Sequence, residues 1–158
     1  MKYFDQFTPG WKEVIRQSRN EAARLGHDYI DPAHLLLGII RKGDVLAVLI
    51  LSDLNIKLED IKKQMENMIK LGNSPQLGVF PQNTDARRIV ELAKIIAKEL
   101  GHNWVGSEHM LLAIIKDNNN DAAKCLSKFN VDYNTCVQIY KNFIESIKES
   151  FKKVKKNN

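Results

Sequence analysis

The stretch Leu25–Ile40 reads LGHDYIDPAHLLLGII, and Leu100–Ile115 reads LGHNWVGSEHMLLAII, with eight of the sixteen positions identical. The offset, 100 minus 25, is 75 residues and holds without a gap. Ala22, Ala47, Leu51, Ser52 and Asn55 return as Ala97, Ala122, Leu126, Ser127 and Asn130. A period of that length constrains the chain more than any other feature, because each copy must build the same unit and bury its apolar face against a neighbour. The repeat covers Ala22–Asn55 and Ala97–Asn130 and extends weakly into the helix before each.

Helix punctuation repeats with it. Thr8 is a good N-cap and Pro9 suits the first helical position. Trp11, Val14, Ile15, Ser18, Ala22 and Leu25 then recur at three-and-four spacing, which predicts an amphipathic helix. Gly26 fits the left-handed residue that ends such a helix. Asp31 and Pro32 open a second helix running to Arg41, a third spans Val45–Leu54, and a fourth carries Leu58, Ile61, Met65, Met68 and Ile69 up to Gly72. In the second copy, Thr84 or Asn83 opens a helix ending before Gly101, Ser107 caps the next, a third runs from about Asp121 to Phe129, and a fourth begins near Asp132. Strand alternation is confined to a few residues around Val79. The expected fold class is therefore all-α, a tandem of two four-helix units. The expected organisation is one domain, with repeat 1 at 7–72, a Gly/Pro connector at 73–83, repeat 2 at 84–147 and a Lys-rich end at 148–158.

Charge and size narrow the function classes. The chain has 158 residues, enough for one core without disulfides or metals. Its net charge is +5, but the last twelve residues hold five lysines and one glutamate. The body is thus nearly neutral, which disfavours nucleic acid as a partner, and the tail is a solvated end or a weak contact for acidic partners. No run of apolar residues reaches membrane-spanning length, and Met1–Gly10 has no apolar signal core, so a cytoplasmic location with Cys125 and Cys136 as free thiols is expected. Tyr140, Phe143, Ile144, Ile147, Phe151 and Val154 carry an apolar stripe past the point where Gly72 stops the first copy. That extension either packs on the body or offers itself to another chain.

The pattern LGH–x5–EH–x–LL–x–x–I, doubled at this spacing, opened by FT or T and split by a Gly/Pro linker, resembles the Clp N-terminal domain, the doubled helical module at the front of Clp unfoldase ATPases. The resemblance covers roughly Phe7–Ile147. It implies a pair of quasi-identical bundles that recruit substrate or adaptor proteins to an ATPase ring, with no catalysis and no cofactor of their own. The expected partners are therefore substrate or adaptor proteins and a Clp ATPase, with no membrane. No G-x-x-x-x-G-K-[ST] phosphate cradle occurs in the chain.

The resemblance also bears on the sites. Some members of the family bind phosphoarginine in two equivalent pockets. A guanidinium needs a carboxylate, and a phosphate needs hydroxyls and free N–H groups at a helix start. The family's pocket glutamate precedes the motif histidine. Glu108 matches it, whereas the first copy has Ala33, and Pro32 stands where the second copy has Ser107. One pocket is therefore expected around Ser107, Glu108 and Thr84. The other is expected to be impaired, with Thr8 remaining but its carboxylate missing. The plainer reading makes Ser107 and Glu108 the cap and first-turn acid of a helix. The docking surface is expected where the repeats meet, at the starts of their first and second helices. His27 and His34, like His102 and His109, are seven apart. Their duplication beside helix boundaries points to structural imidazoles rather than metal ligands. Met65 and Met68 are expected in the core, Trp104 between helices, and Trp11 at an exposed contact. No nucleophile motif is present, so an enzyme is not expected.

Overall fold

The computed structural model describes residues 5–74 and 78–158. Residues Met1–Phe4 and the part of the connector at Pro75–Leu77 lie outside the described residues. The helices in order are α1 (Pro9–Arg24), α2 (Pro32–Lys42), α3 (Leu46–Asp53), α4 (Leu58–Met68), α5 (Thr84–Glu99), α6 (Ser107–Asp117), α7 (Asp121–Ser127) and α8 (Tyr133–Lys156). The fold is all-α, two four-helix units in tandem. Val79 is exposed and belongs to no strand.

Local chemistry explains the boundaries. Thr8 Oγ1 accepts from the Trp11 N–H at 3.1 Å, and Pro9, which has no N–H to satisfy, starts α1. Asp31 Oδ1 accepts from the His34 N–H, and Pro32 starts α2 in the same way. Asn83, not Thr84, caps α5 by accepting from the Ala86 N–H at 2.9 Å. Gly106, not Ser107, is the N-cap of α6, with Ser107 its first helical residue. Asn83 is one of the two openings expected, whereas Gly106 corrects the Ser107 cap; both follow the 75-residue offset, which pairs Thr8 with Asn83 and Asp31 with Gly106.

α1 packs on α2 and α5 on α6, while α3 lies against α6 and α4 against α7, so the halves interlock rather than abut. Two isolated bridges mark the crossing. The Thr8 N–H donates to the Val105 carbonyl at 3.0 Å and the Val105 N–H to that of Gln6 at 2.8 Å. At the positions 75 residues displaced, the Asn83 N–H donates to the Ile30 carbonyl at 2.9 Å and the Ile30 N–H to that of Pro81 at 2.9 Å. The start of each half's first helix is thereby tied to the start of the other half's second helix.

The central helices α2 and α6 supply the core, with Leu35, Leu36, Leu37 and Ile39 facing Met110, Leu111, Leu112 and Ile114 in one apolar cluster. Each such side chain contributes roughly 1.5–3 kcal/mol by leaving water. Gly38 lets α1 and α2 approach closely, since a Cβ there would strike the Ser18 hydroxyl. Met65 is fully buried and Met68 packs at the edge of the core. The tryptophans exchange their expected places. Trp11 is buried at the α1 start, stacked on Phe7 with ring centroids 4.7 Å apart, while Trp104 is 39% exposed. The bridge between Phe7 and Val105 pulls the α1 start inward, and that pairing is invisible to helical periodicity.

α8 is one helix of 24 residues, about 36 Å long. Cys136 and Tyr140 are its buried residues, and from Glu145 onward it leaves the body with Ile147, Phe151 and Val154 exposed. Among the described residues no helix is long and apolar enough to cross a membrane.

Candidate functional site

At the crossing of the halves, the start of α1 from the first repeat meets the start of α6 from the second. Thr8, Gly10, Asp44, Leu46, Trp104, Ser107 and Glu108 line a cleft of about 260 Å³ there. The structure thus gathers Thr8 with Ser107 and Glu108. Thr84 is exposed at the pseudo-equivalent crossing beside Ile30, away from this cleft. Sequence reasoning grouped residues by repeat, whereas the two bridges group them across repeats.

Glu108 forms the floor. It is 2% exposed, and its Oε2 accepts from the Tyr140 hydroxyl at 3.0 Å and the Trp104 Nε1–H at 3.4 Å. Burial pushes its pKa above the usual carboxylate range, against the lowering pull of its own backbone N–H, Tyr140 and Trp104. The same contact, with burial as the larger cause, lifts the Tyr140 hydroxyl well above its ordinary value. Gly106 makes room for this carboxylate, because a Cβ at 106 would fall on Glu108 Oε1. The first half reverses the sizes, with Asp31 in place of Gly106 and Ala33 in place of Glu108. The glycine two residues before Glu108 was the sequence signal for a buried acid.

Ser107 is buried, and its Oγ accepts from the Ala47 N–H at 3.1 Å. It therefore fastens α3 of the first half to α6 of the second through its oxygen. Asp44, at the rim, pairs with Lys42 at 3.0 Å. The cleft thus offers one buried carboxylate, one at the rim, and the N-terminal end of α1, where Gly10 follows Thr8 and Pro9.

The histidines form two relays. The Asp31 N–H donates to His34 Nδ1 at 3.0 Å, which leaves the His34 proton on Nε2, 2.8 Å from His27 Nδ1. The His27 proton is then on Nε2, which donates to the Lys70 carbonyl at 2.9 Å. In the second half the Gly106 N–H donates to His109 Nδ1 at 2.9 Å, and His109 Nε2–H donates to His102 Nδ1 at 2.8 Å. Both pairs are neutral by this connectivity. Burial lowers the pKa of His34 and of His102, and brings His109 down to about 3. Trp104 stacks on His102 with centroids 4.4 Å apart. Among the described residues no group of three or more His, Cys, Asp or Glu is placed to hold a metal ion. Cys125 and Cys136 are free and buried, and burial raises both thiols to about 11.

A model of the Clp repeat (R) N-terminal domain matches residues 6–129. The chain is 35% identical over 135 residues to the chaperone protein ClpB of Oceanobacillus iheyensis, across 85% of this chain and 17% of that protein. It is 35% identical over 129 residues to the chloroplastic chaperone protein ClpC2 of Oryza sativa, across 82% and 14%. An ATP-dependent Clp protease ATP-binding subunit ClpA homolog of Porphyra purpurea is 33% identical over 129 residues, across 82% and 16%. The chain spans less than a fifth of the length of these relatives. Among solved structures, the N-terminal domain of ClpD from Arabidopsis thaliana superposes with a TM-score of 0.70 at 19% identity, covering 91% of this chain and 97% of that one. The Hsp104 N-terminal domain of Candida albicans gives 0.70 at 16% identity, covering 85% and 89%.

Proposed function

We propose, from the premise that this chain belongs to the Clp repeat N-terminal domain family, that it is a non-catalytic module which binds substrate or adaptor proteins for a Clp-type ATP-dependent unfoldase. The observation that carries the reading is the cleft at the crossing of the halves, floored by Glu108 and closed by Thr8. Its volume suits one side chain. A guanidinium entering it meets the Glu108 carboxylate at the floor and Asp44 at the rim. A phosphoryl group on that guanidinium would lie toward the Thr8–Gly10 end of α1, where the helix dipole favours negative charge. The cleft is thus suited to an arginine or phosphoarginine side chain of a client. The first half lacks the carboxylate, with Ala33 at the matching position. The names of the relatives, which are chaperone and Clp protease subunits, support the same class of role.

Calorimetry with a short phosphoarginine peptide tests this. Wild-type protein binds one peptide, and Glu108→Ala weakens binding by at least about tenfold, the scale of one lost charge-assisted contact. Thr84→Ala leaves it unchanged. Equal affinity in wild type and Glu108→Ala, or no binding by either, overturns the assignment. Loss of affinity with salt that disappears on removing the lysines after Ile147 would instead point to the basic tail.

A further inference from the structure

The loop after each half's first helix is the same backbone built twice. The amides of Leu25, Gly26 and His27 donate to the carbonyls of Glu21, Ala23 and Ala22, and those of Leu100, Gly101 and His102 repeat the pattern on Ile96, Lys98 and Ala97. Gly26 and Gly101 share left-handed φ values of 79° and 78°. What lies on the two loops differs.

In the first half the chain leaves α4 and crosses the loop as an extended strap. The Gly72 N–H donates to the Leu25 carbonyl at 2.9 Å, the Ser74 N–H donates to the Gly26 carbonyl at 3.0 Å, and the Lys70 carbonyl accepts from His27 Nε2 at 2.9 Å. Backbone touches backbone. A Cβ on Gly26 would land on the Gly72 carbonyl, and a Cβ on Gly72 on the Gly26 carbonyl and the His27 ring. In the second half the residues matching Lys70–Ser74, 145–149, continue as α8 and never form a strap. Among the described residues, nothing lies within 4 Å of where a Gly101 Cβ would be. Among the described residues, none donates to the Leu100 or Gly101 carbonyl, and none accepts from His102 Nε2. A slot of about 470 Å³ stands there instead, lined by Leu100, Gly101, His102, Trp104, Tyr140 and Ile144.

We propose that this slot receives an extended, glycine-centred segment of a partner protein, held as the first half holds its own Lys70–Ser74. Two N–H groups of the segment donate to the Leu100 and Gly101 carbonyls, and one of its carbonyls accepts from His102 Nε2. The relay through Gly106 and His109 places the His102 proton on Nε2, so the donor is set before the partner arrives. Glycine is required where the segment crosses Gly101, for the reason that Gly72 is glycine over Gly26. Ile144 and the Tyr140 ring supply the apolar wall. The slot shares Trp104 with the Glu108 cleft, and Tyr140 bonds Glu108 through the wall between them, but the groups that hold the segment, the Leu100 and Gly101 carbonyls and His102, are not part of that cleft.

The probe is the strap itself, the capped peptide acetyl-IKLGNS-amide, titrated into the isotope-labelled full chain. So short a ligand binds in the millimolar range. The expected result is a saturable shift of the amide resonances of Leu100–Trp104 and Tyr140–Lys148, at least about tenfold weaker for acetyl-IKLVNS-amide. Glu145→Trp, at an exposed position on the slot mouth, abolishes the shifts while thermal unfolding is unchanged. Asp44→Ala, at the rim of the arginine cleft and outside the slot, leaves them in place, which separates this result from the fate of that cleft. No shift at several millimolar peptide overturns the proposal, as do equal shifts with both peptides or shifts that survive Glu145→Trp. Concentration-dependent shifts of these amides without peptide would mean that a second copy occupies the slot, and would equally overturn it.

Discussion

The two halves share an α1–α2 or α5–α6 pair, a left-handed glycine and a histidine relay, yet the first half is finished and the second is left open. In the first, Lys70–Ser74 covers the loop at Gly26, Asp31 occupies the helix entry, and Ala33 leaves no acid behind it. In the second, none of the described residues covers Gly101, Gly106 empties the entry, and Glu108 fills the space with a buried carboxylate. The scaffold thus tolerates two completions of one backbone. The differences cluster where a ligand could reach, and the shared parts are those that hold the helices together.

The comparison breaks most sharply at the glycines. Gly26→Ala should destabilise the protein by about 3 kcal/mol in urea unfolding, combining left-handed strain with collision against Gly72. Gly101→Ala should lose only about 1 kcal/mol, from strain alone. Equal losses would show that the strap does not bear on the first loop.

Acid tests what the halves share. His109 has a folded pKa of about 3, below its unfolded value near 6.5, so the unfolded chain binds the extra proton between them. Its contribution is complete above about pH 7 and falls as pH drops through 6.5 toward 3, reaching about 2 kcal/mol lost by pH 5. His34, lowered by the same burial, adds to the fall. Urea unfolding at pH 7, 6 and 5 should show this slope, and His109→Gln should flatten it. A slope unchanged by that substitution would remove the neutral relay from the account.

Ser107→Ala should destabilise by about 1–2 kcal/mol, because the buried Ala47 N–H loses its acceptor. The first half has Pro32 at the matching position and no such pin, so this loss measures an asymmetry in how the halves are fastened. The smallest effect belongs to the free end of α8, where Phe151 is 66% exposed. Phe151→Ser should leave the melting transition within about 0.5 kcal/mol of wild type. A larger drop would mean that the end of α8 packs on something in solution.

Much of this architecture is written in local sequence. Thr8 with Pro9, and Asp31 with Pro32, mark helix starts by their own chemistry. Gly26 and Gly101 mark ends, and the 75-residue offset carries each assignment from one half to the other. What escaped was long-range. Helical periodicity cannot show that Phe7 pairs with Val105 or Ile30 with Gln82, and without those bridges Thr8 is not seen to face Glu108, nor Trp11 to be buried. The Ser107 hydroxyl looked like a cap because its partner, Ala47, is sixty positions away in the other half. The slot at Gly101 is an absence, visible only beside the half that fills it.

The crossed bridges limit how the chain can be divided. Either repeat, cut free, loses one end of each bridge with the missing half, so one unit can rebuild these joints only by embracing another of its kind. A lone repeat would therefore associate as a symmetric pair with two identical clefts, whatever their chemistry. Joining two units in one chain lifts that symmetry, letting Glu108 be gained at one crossing and Ala33 kept at the other.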